Sequence, residues 1–91
     1  MANMIVTLRI MPESPEVNLD ELVNKVREII TNFKARLLEQ IEQVPVAFGL
    51  KSLNLKFVID ENRGSEEISE AIEKLDEVSS SEVIGMSRAM G

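Results

Sequence analysis

The sequence predicts a two-layer α+β sandwich, in which two helices cover one face of a four-stranded antiparallel sheet. Two segments, 4–11 and 50–59, alternate apolar and polar residues with the period of a strand. Two others, 18–30 and 65–77, place apolar residues three or four positions apart, as a helix with one buried stripe does. A length of 91 residues allows one such domain, which we expect to span 1–91.

The first strand and the first helix carry clear local signals. Segment 4–11 has one apolar face, formed by Met4, Val6, Leu8 and Ile10. Asn18 can cap the helix, and Glu21 three residues later fits a capping box. The stripe that this helix is expected to bury consists of Leu19, Leu22, Val23, Val26, Ile29 and Ile30.

The second half repeats the arrangement with an extra strand. Segment 35–44 has a mixed pattern, and its charges and Pro45 favour a strand at the sheet edge. The next strand, 50–59, is expected to bury Leu53, Leu55, Phe57 and Ile59. Ser65 is predicted to cap the second helix, and a last strand is predicted at 83–90. The order βαββαβ is typical of the ferredoxin-like arrangement.

Composition argues against several classes of function. Sixteen acidic and ten basic residues give a formal charge of −6, which disfavours nucleic acid and anionic membrane as partners. Cys and His are both absent, so thiolate sites, the commonest general base and the commonest metal ligand are missing. No apolar run approaches the roughly 20 residues that span a bilayer. We therefore expect a cofactor-free protein that binds another protein and is not an enzyme.

Three candidate chemical sites have simpler explanations. The acidic residues of 66–77 could hold a metal, but their helical spacing favours a solvated face. The serines at 79–81 could be nucleophiles, but no His is present to activate them, and they predict a turn. An RNA-binding sheet needs aromatic platforms, and Phe57 is in phase with core residues.

The stretch "VPVAFGL" at 44–50 is unusual because it joins two predicted strands without one polar side chain. One interpretation is a buried bulge, permitted by Gly49, with Phe48 in the core. The other is a hairpin end that presents Phe48 as an apolar anchor for a partner. The pattern favours neither.

Arg88 stands alone among small and apolar residues in "VIGMSRAMG", at 83–91. It could provide solubility to a final edge strand. It could also direct a guanidinium towards carboxylates or phosphates on a partner.

Three features together are similar to a known family: "IVTLRIMPES" at the start, "VPVAFGLKSLNLKFVIDE" in the middle, and a closing strand with a cation. They resemble archaeal translation elongation factor 1-beta and the C-terminal exchange domain of its eukaryotic relatives. The resemblance covers essentially the whole chain, and the middle stretch is its most specific part. It implies the same α+β sandwich.

The resemblance implies a cytoplasmic, monomeric guanine nucleotide exchange factor. Its partner would be elongation factor 1-alpha with bound guanine nucleotide and magnesium. Phe48 matches a family Phe that inserts beside the nucleotide site of this GTPase. Arg88 lies where eukaryotic members have a lysine that reaches the magnesium site, and an arginine keeps the charge with a broader, planar group. The partner-binding residues implied are Phe48 and Arg88 with their neighbours Ala47, Gly49, Lys51 and Met90.

Two other functions fit the same predicted fold. One is a regulatory domain that binds a small molecule at a dimer interface, which predicts a dimer stabilised by a metabolite. The other is an adaptor that binds a GTPase without changing nucleotide release.

Overall fold

The chain forms the predicted helices and sheet in the computed structural model, which describes residues 3–38, 40–60 and 64–89. The elements are β1 (Asn3–Pro12), α1 (Leu19–Asn32), β2 (Arg36–Leu37), β3 (Glu42–Pro45), β4 (Lys51–Asp60), α2 (Ser65–Glu73) and β5 (Val78–Ala89). No helix in these described ranges is long and apolar enough to cross a membrane.

All strands pair antiparallel in one sheet, where β1 lies between β5 and β4. The far edge of β4 pairs with two short strands, β2 and β3. The single edge strand predicted at 35–44 is divided into two short strands, so the sheet in the described residues has five strands and not the predicted four. Between the pairs Leu37–Phe57 and Glu42–Asn54, the edge segment is two residues longer than β4. Two extra residues cannot join the ladder, and the edge strand is therefore interrupted.

The core lies between the sheet and both helices, as the periodicities predicted. The residues of β1 and β4 that face it are Val6, Leu8, Ile10, Leu53, Leu55, Phe57 and Ile59. The helices contribute Leu22, Val26 and Ile30 from α1 and Ile68 and Ile72 from α2 to the same cluster. Burial of each such side chain contributes about 1.5–3 kcal/mol. The opposite face of the sheet carries no helix from residues 3–38, 40–60 or 64–89, and it is called the open face below.

The two helices begin differently. The Asn18 side chain accepts hydrogen bonds from the backbone N–H groups of Asp20 and Glu21, at 3.0 and 3.2 Å, which confirms the predicted cap. The prediction that Ser65 caps α2 was wrong. The helix begins at Ser65, one residue earlier than predicted, so Gly64 is the capping residue. Glycine has no side chain that could accept a capping hydrogen bond.

The last strand begins at Val78, five residues before its predicted start. The predicted turn at 79–81 was wrong, because this run belongs to β5 and pairs with β1, with Ser80 opposite Met11 and Ser81 opposite Ile10. The buried Ser69 hydroxyl donates to the Ser81 carbonyl at 3.1 Å and lies 2.9 Å from the Ser81 hydroxyl. The Ser81 N–H donates to the Glu73 carboxylate at 3.2 Å. These contacts hold β5 against α2.

Candidate partner-binding site

The hairpin between β3 and β4 ends in a three-residue tip, Ala47, Phe48 and Gly49. Two backbone hydrogen bonds close it, both 2.9 Å long, from Val46 N–H to the Leu50 carbonyl and from Leu50 N–H to the Ala47 carbonyl. The paired strands below it place Val44 opposite Ser52 and Pro45 opposite Lys51. The tip is therefore held by backbone bonds and needs no side-chain contact to keep its shape.

Phe48 and Gly49 both have positive φ angles, of 53° and 78°. Consecutive positive φ angles are those of a type I′ turn, where Asn-Gly is strongly preferred. Glycine adopts this conformation freely, but a residue with a Cβ atom pays roughly 1–2 kcal/mol. Phe48 is thus a poor choice for turn stability, and such strain is typical of functional positions.

The Phe48 side chain is 97% exposed. Val46 and Val44 on the same hairpin are 54% and 37% exposed, and Pro45 and Ala47 are exposed as well. This excludes the buried-bulge interpretation of Phe48. A continuous exposed apolar surface of this kind is typical of a protein contact.

Gly49 and Lys51 lie at the base of the tip. A Cβ atom on Gly49 would lie 3.8 Å from the Pro15 side chain, so the hairpin packs beside the loop between β1 and α1. Lys51 is exposed and lines a depression between this loop and the hairpin, together with Asn18 and Asp20. Both residues therefore lie close to Phe48.

Arg88 does not lie near this tip. It is exposed and pairs with Met4, at the far end of β1. Met4 and Ile10 are six residues apart on one strand, which spans about 20 Å, and the tip lies beyond Ile10. The structure thus brings Phe48, Ala47, Gly49 and Lys51 together and places Arg88 at the opposite end of the sheet. Met90 lies outside the described residues.

Charge is divided unequally between the two layers. The segments 19–32 and 65–77, which hold both helices, contain nine acidic and three basic residues. The net charge of these two segments is −6, which equals the net charge of the whole chain, so the net charge of the remaining segments is zero. The helical layer is acidic and the sheet layer is neutral overall.

Ion pairs connect separate elements in the described part of the chain. Arg9 pairs with Glu82 on the open face, and Lys25 of α1 pairs with Glu77 just before β5. The hydrogen bond between Lys25 and Glu77 raises the pKa of the lysine and lowers the pKa of the carboxyl. In the described part of the chain, no group of three or more acidic side chains is placed to hold a metal ion.

Among the described residues, Phe48 is the large apolar residue with the greatest exposure, and it lies at a strained hairpin tip. A small α+β sandwich with such an exposed side chain belongs to the class of protein-binding domains. Comparison with known families makes this class specific. The EF-1 guanine nucleotide exchange domain matches residues 5–89, and the chain belongs to that family. Its function is guanine nucleotide exchange on elongation factor 1-alpha, as the resemblance implied.

Archaeal relatives carry the corresponding name. The chain is 42% identical over 83 residues to elongation factor 1-beta of Nanoarchaeum equitans, which covers 90% of this chain and 100% of the relative. Other archaeal elongation factors 1-beta are 38% and 39% identical over 91 and 90 residues. The similarity thus extends over almost the full length of these proteins.

Solved structures with other names share the fold. The ACT domain from GTP pyrophosphokinase of Chlorobium tepidum has a TM-score of 0.64 at 17% identity, covering 90% of this chain and 99% of that chain. The 30S ribosomal protein S6 from Thermotoga maritima has a TM-score of 0.59 at 15% identity, covering 98% and 89%. Both confirm the ferredoxin-like architecture and show the fold alone.

Proposed function

We propose that the chain promotes replacement of GDP by GTP on elongation factor 1-alpha by protein–protein contact at its nucleotide and magnesium site, with Phe48 of the hairpin as the apolar anchor of that contact. The exposure of Phe48 at a strained turn carries this proposal, because burial in a partner would offset the exposed apolar area. Aromatic anchors of this kind dominate binding energy at protein interfaces.

Such a mechanism requires no covalent chemistry from this chain. An exchange factor changes nucleotide affinity only as far as it binds the nucleotide-poor GTPase better than the loaded form. By linkage, binding of the exchange protein lowers the affinity of the GTPase for nucleotide by the same ratio. Positioned apolar and charged groups are sufficient for this role.

Arg88 is proposed as a second contact on the same GTPase. It lies more than about 20 Å from the tip, measured as the rise of six strand residues. The partner would therefore contact both ends of the sheet. A cation near the bound magnesium repels the ion and competes for its ligands, which favours release of metal and then of nucleotide. The alternative is that Arg88 pairs with a carboxylate of the GTPase and adds affinity only.

The remaining proposals concern the state in which the chain works. We propose a single exchange domain over 1–91 that acts as a monomer in the cytoplasm and makes no direct contact with nucleic acid. The formal charge of −6 supports the last point, because it repels a phosphate backbone.

A nucleotide-release assay tests the proposed function. Elongation factor 1-alpha is loaded with a fluorescent GDP analogue and chased with excess GTP, with and without the chain. We expect the wild type to accelerate release and Phe48→Ala to weaken binding by about 2 kcal/mol or more, as hot spots do.

The stability of Phe48→Ala is measured in parallel. Because the side chain is exposed, the free energy of unfolding of the variant should stay within about 1 kcal/mol of the wild-type value. A Phe→Ala change in a protein core typically costs about 3–5 kcal/mol. Unchanged release and unchanged affinity of this variant would refute the role of Phe48.

A further inference from the structure

The end of the β3–β4 hairpin extends beyond the strand that supports the rest of β4. In the described part of the sheet, β1 pairs with β4 only as far as Ile10 and Leu53. The hairpin continues for two more residue pairs and the tip, and there β4 pairs with β3 alone. A two-stranded hairpin by itself is at best marginally stable in water. The sheet therefore fixes the direction of the tip only in part.

The loop between β1 and α1, residues 13–18, lies beside this projecting segment and has a defined shape of its own. The Val17 N–H donates to the Ser14 carbonyl at 3.3 Å, which closes a β-turn with Pro15 at its second position. Proline is favoured there because its fixed φ angle matches the turn. At the start of the loop, the Glu13 N–H donates to the Glu77 carbonyl at 2.8 Å. At its end, the Val17 side chain packs against the core. The loop is thus held on both sides of Pro15.

Pro15 faces Gly49 at the tip of the hairpin. A Cβ atom on Gly49 would lie 3.8 Å from Cβ and 3.9 Å from Cγ of Pro15, so a single added carbon would bring the two into van der Waals contact. Around this point, the loop and the hairpin enclose a depression of about 370 Å³. This space would let an unsupported hairpin bend towards α1, and the proline ring lies in its way.

We propose that the loop 13–18 fixes the direction in which the hairpin presents Phe48, with Pro15 as the positioning residue. The inference rests on the proposed function of Phe48 and adds a residue that acts within the chain. A hairpin that is held before binding loses less conformational freedom when the complex forms, and such preorganisation raises affinity. Pro15 was not among the residues predicted from the sequence, because its effect depends on an approach to a hairpin far away in the chain.

A double-mutant cycle tests the inference. Pro15→Gly removes the ring and frees the backbone of the turn, and Phe48→Ala removes the side chain that the loop positions. The Kd for nucleotide-free elongation factor 1-alpha is measured by titration for the wild type, both single variants and the double variant. With Phe48 present, we expect Pro15→Gly to raise the Kd about threefold to tenfold through lost preorganisation. With Ala at position 48, the same change should raise it less than about twofold, because Pro15 acts through Phe48.

Glu16→Gly is the matched control. Glu16 is exposed at the next position of the same turn, and the change likewise introduces a glycine. It should change the Kd less than about twofold, because it leaves the proline ring in place. Amide NMR relaxation of 47–49 should show greater mobility in Pro15→Gly than in the wild type and no change in Glu16→Gly. Urea unfolding verifies that both variants fold.

Two results would overturn the inference while leaving the exchange function intact. One is a wild-type Kd for Pro15→Gly. The other is an equal rise of the Kd in both backgrounds, because Pro15 would then contact the partner itself or act on the whole fold. If Pro15→Gly does not fold, the same cycle is run with Pro15→Ala, which should raise the Kd about twofold or more in the presence of Phe48 alone. A wild type that neither binds the GTPase nor accelerates nucleotide release would overturn the proposed function and this inference with it.

Discussion

Phe48 and Gly49 occupy consecutive left-handed positions at the tip of the β3–β4 hairpin, with φ angles of 53° and 78°. The second position holds the residue that the turn prefers, and the first holds a large aromatic residue that the turn disfavours. Local stability and partner binding therefore make opposite demands on Phe48.

Phe48→Asn is expected to stabilise the protein by about 1 kcal/mol, because asparagine tolerates this conformation and Asn-Gly is the preferred type I′ pair. The free energy of unfolding, measured in urea, checks this. Like Phe48→Ala, the Phe48→Asn variant should lose the ability to accelerate nucleotide release. A lower free energy of unfolding than the wild type would show that the Phe48 ring stabilises the fold.

Arg88→Ala separates the two proposed roles of the arginine. If Arg88 acts on the metal, the variant slows nucleotide release even at saturating concentration, with complex formation largely kept. Raising magnesium then inhibits the wild type, and chelating magnesium rescues the variant. We expect Arg88→Ala to slow release in this way, and the measurement is the nucleotide release rate at saturating concentration of the variant.

A full recovery of the rate at high variant concentration, without a magnesium effect, would contradict it. Arg88 would then add affinity only. Arg88→Lys is the matched control, because it keeps the charge in a more compact group.

Ser69→Ala should lower the free energy of unfolding by about 1–3 kcal/mol, because it leaves the buried Ser81 hydroxyl and carbonyl without their partner. Ser81→Ala should cost less, because the Ser69 hydroxyl can still donate to the backbone carbonyl of residue 81. The double variant should cost less than the two losses added together, since it removes both hydroxyls at once. Urea unfolding of the four proteins measures this. Ser79→Ala is the control, because Ser79 is exposed in the same strand. Strictly additive losses would contradict a direct interaction between the hydroxyls.

The ion pair of Lys25 and Glu77 predicts a weak pH dependence of stability. The pKa of Glu77 is lowered in the folded state by its hydrogen bond to Lys25, so the pair stabilises the fold above the ordinary carboxyl pKa. This stabilisation is lost as the pH falls through the folded pKa. At the alkaline end, the raised pKa of Lys25 means that the contribution is lost only as the pH rises through that value.

Glu77→Gln should therefore lower stability at neutral pH and approach the wild type in acid. Both side chains are partly exposed, so the difference should be small and should shrink with added salt. Glu70→Gln, which removes the same charge elsewhere on the acidic layer, provides the comparison. An equal pH dependence of both variants would show that net charge and not the pair is responsible.

Local sequence was sufficient for the elements whose signals lie within one segment. The alternation in β1 and β4 and the stripe of α1 arise from the geometry of a single strand or helix. The Asn18 cap likewise bonds only its own next residues, Asp20 and Glu21. The unusual apolar character of the hairpin was also visible, because turns normally carry polar residues.

Tertiary structure decided what depends on partners far away in the chain. The edge strand is interrupted because its register against β4 leaves two residues over. The strand β5 begins early because it pairs with the last residues of β1, where Val78 lies opposite Pro12. The exposure of Phe48 was equally undetermined, since an apolar run is compatible with a core or a surface until its neighbours are placed. The separation of Phe48 from Arg88 follows from antiparallel pairing, which puts the hairpin tip and the end of β5 at opposite ends of β1. Side-chain patterns record the preferences of single segments, whereas register and burial arise only when segments pair.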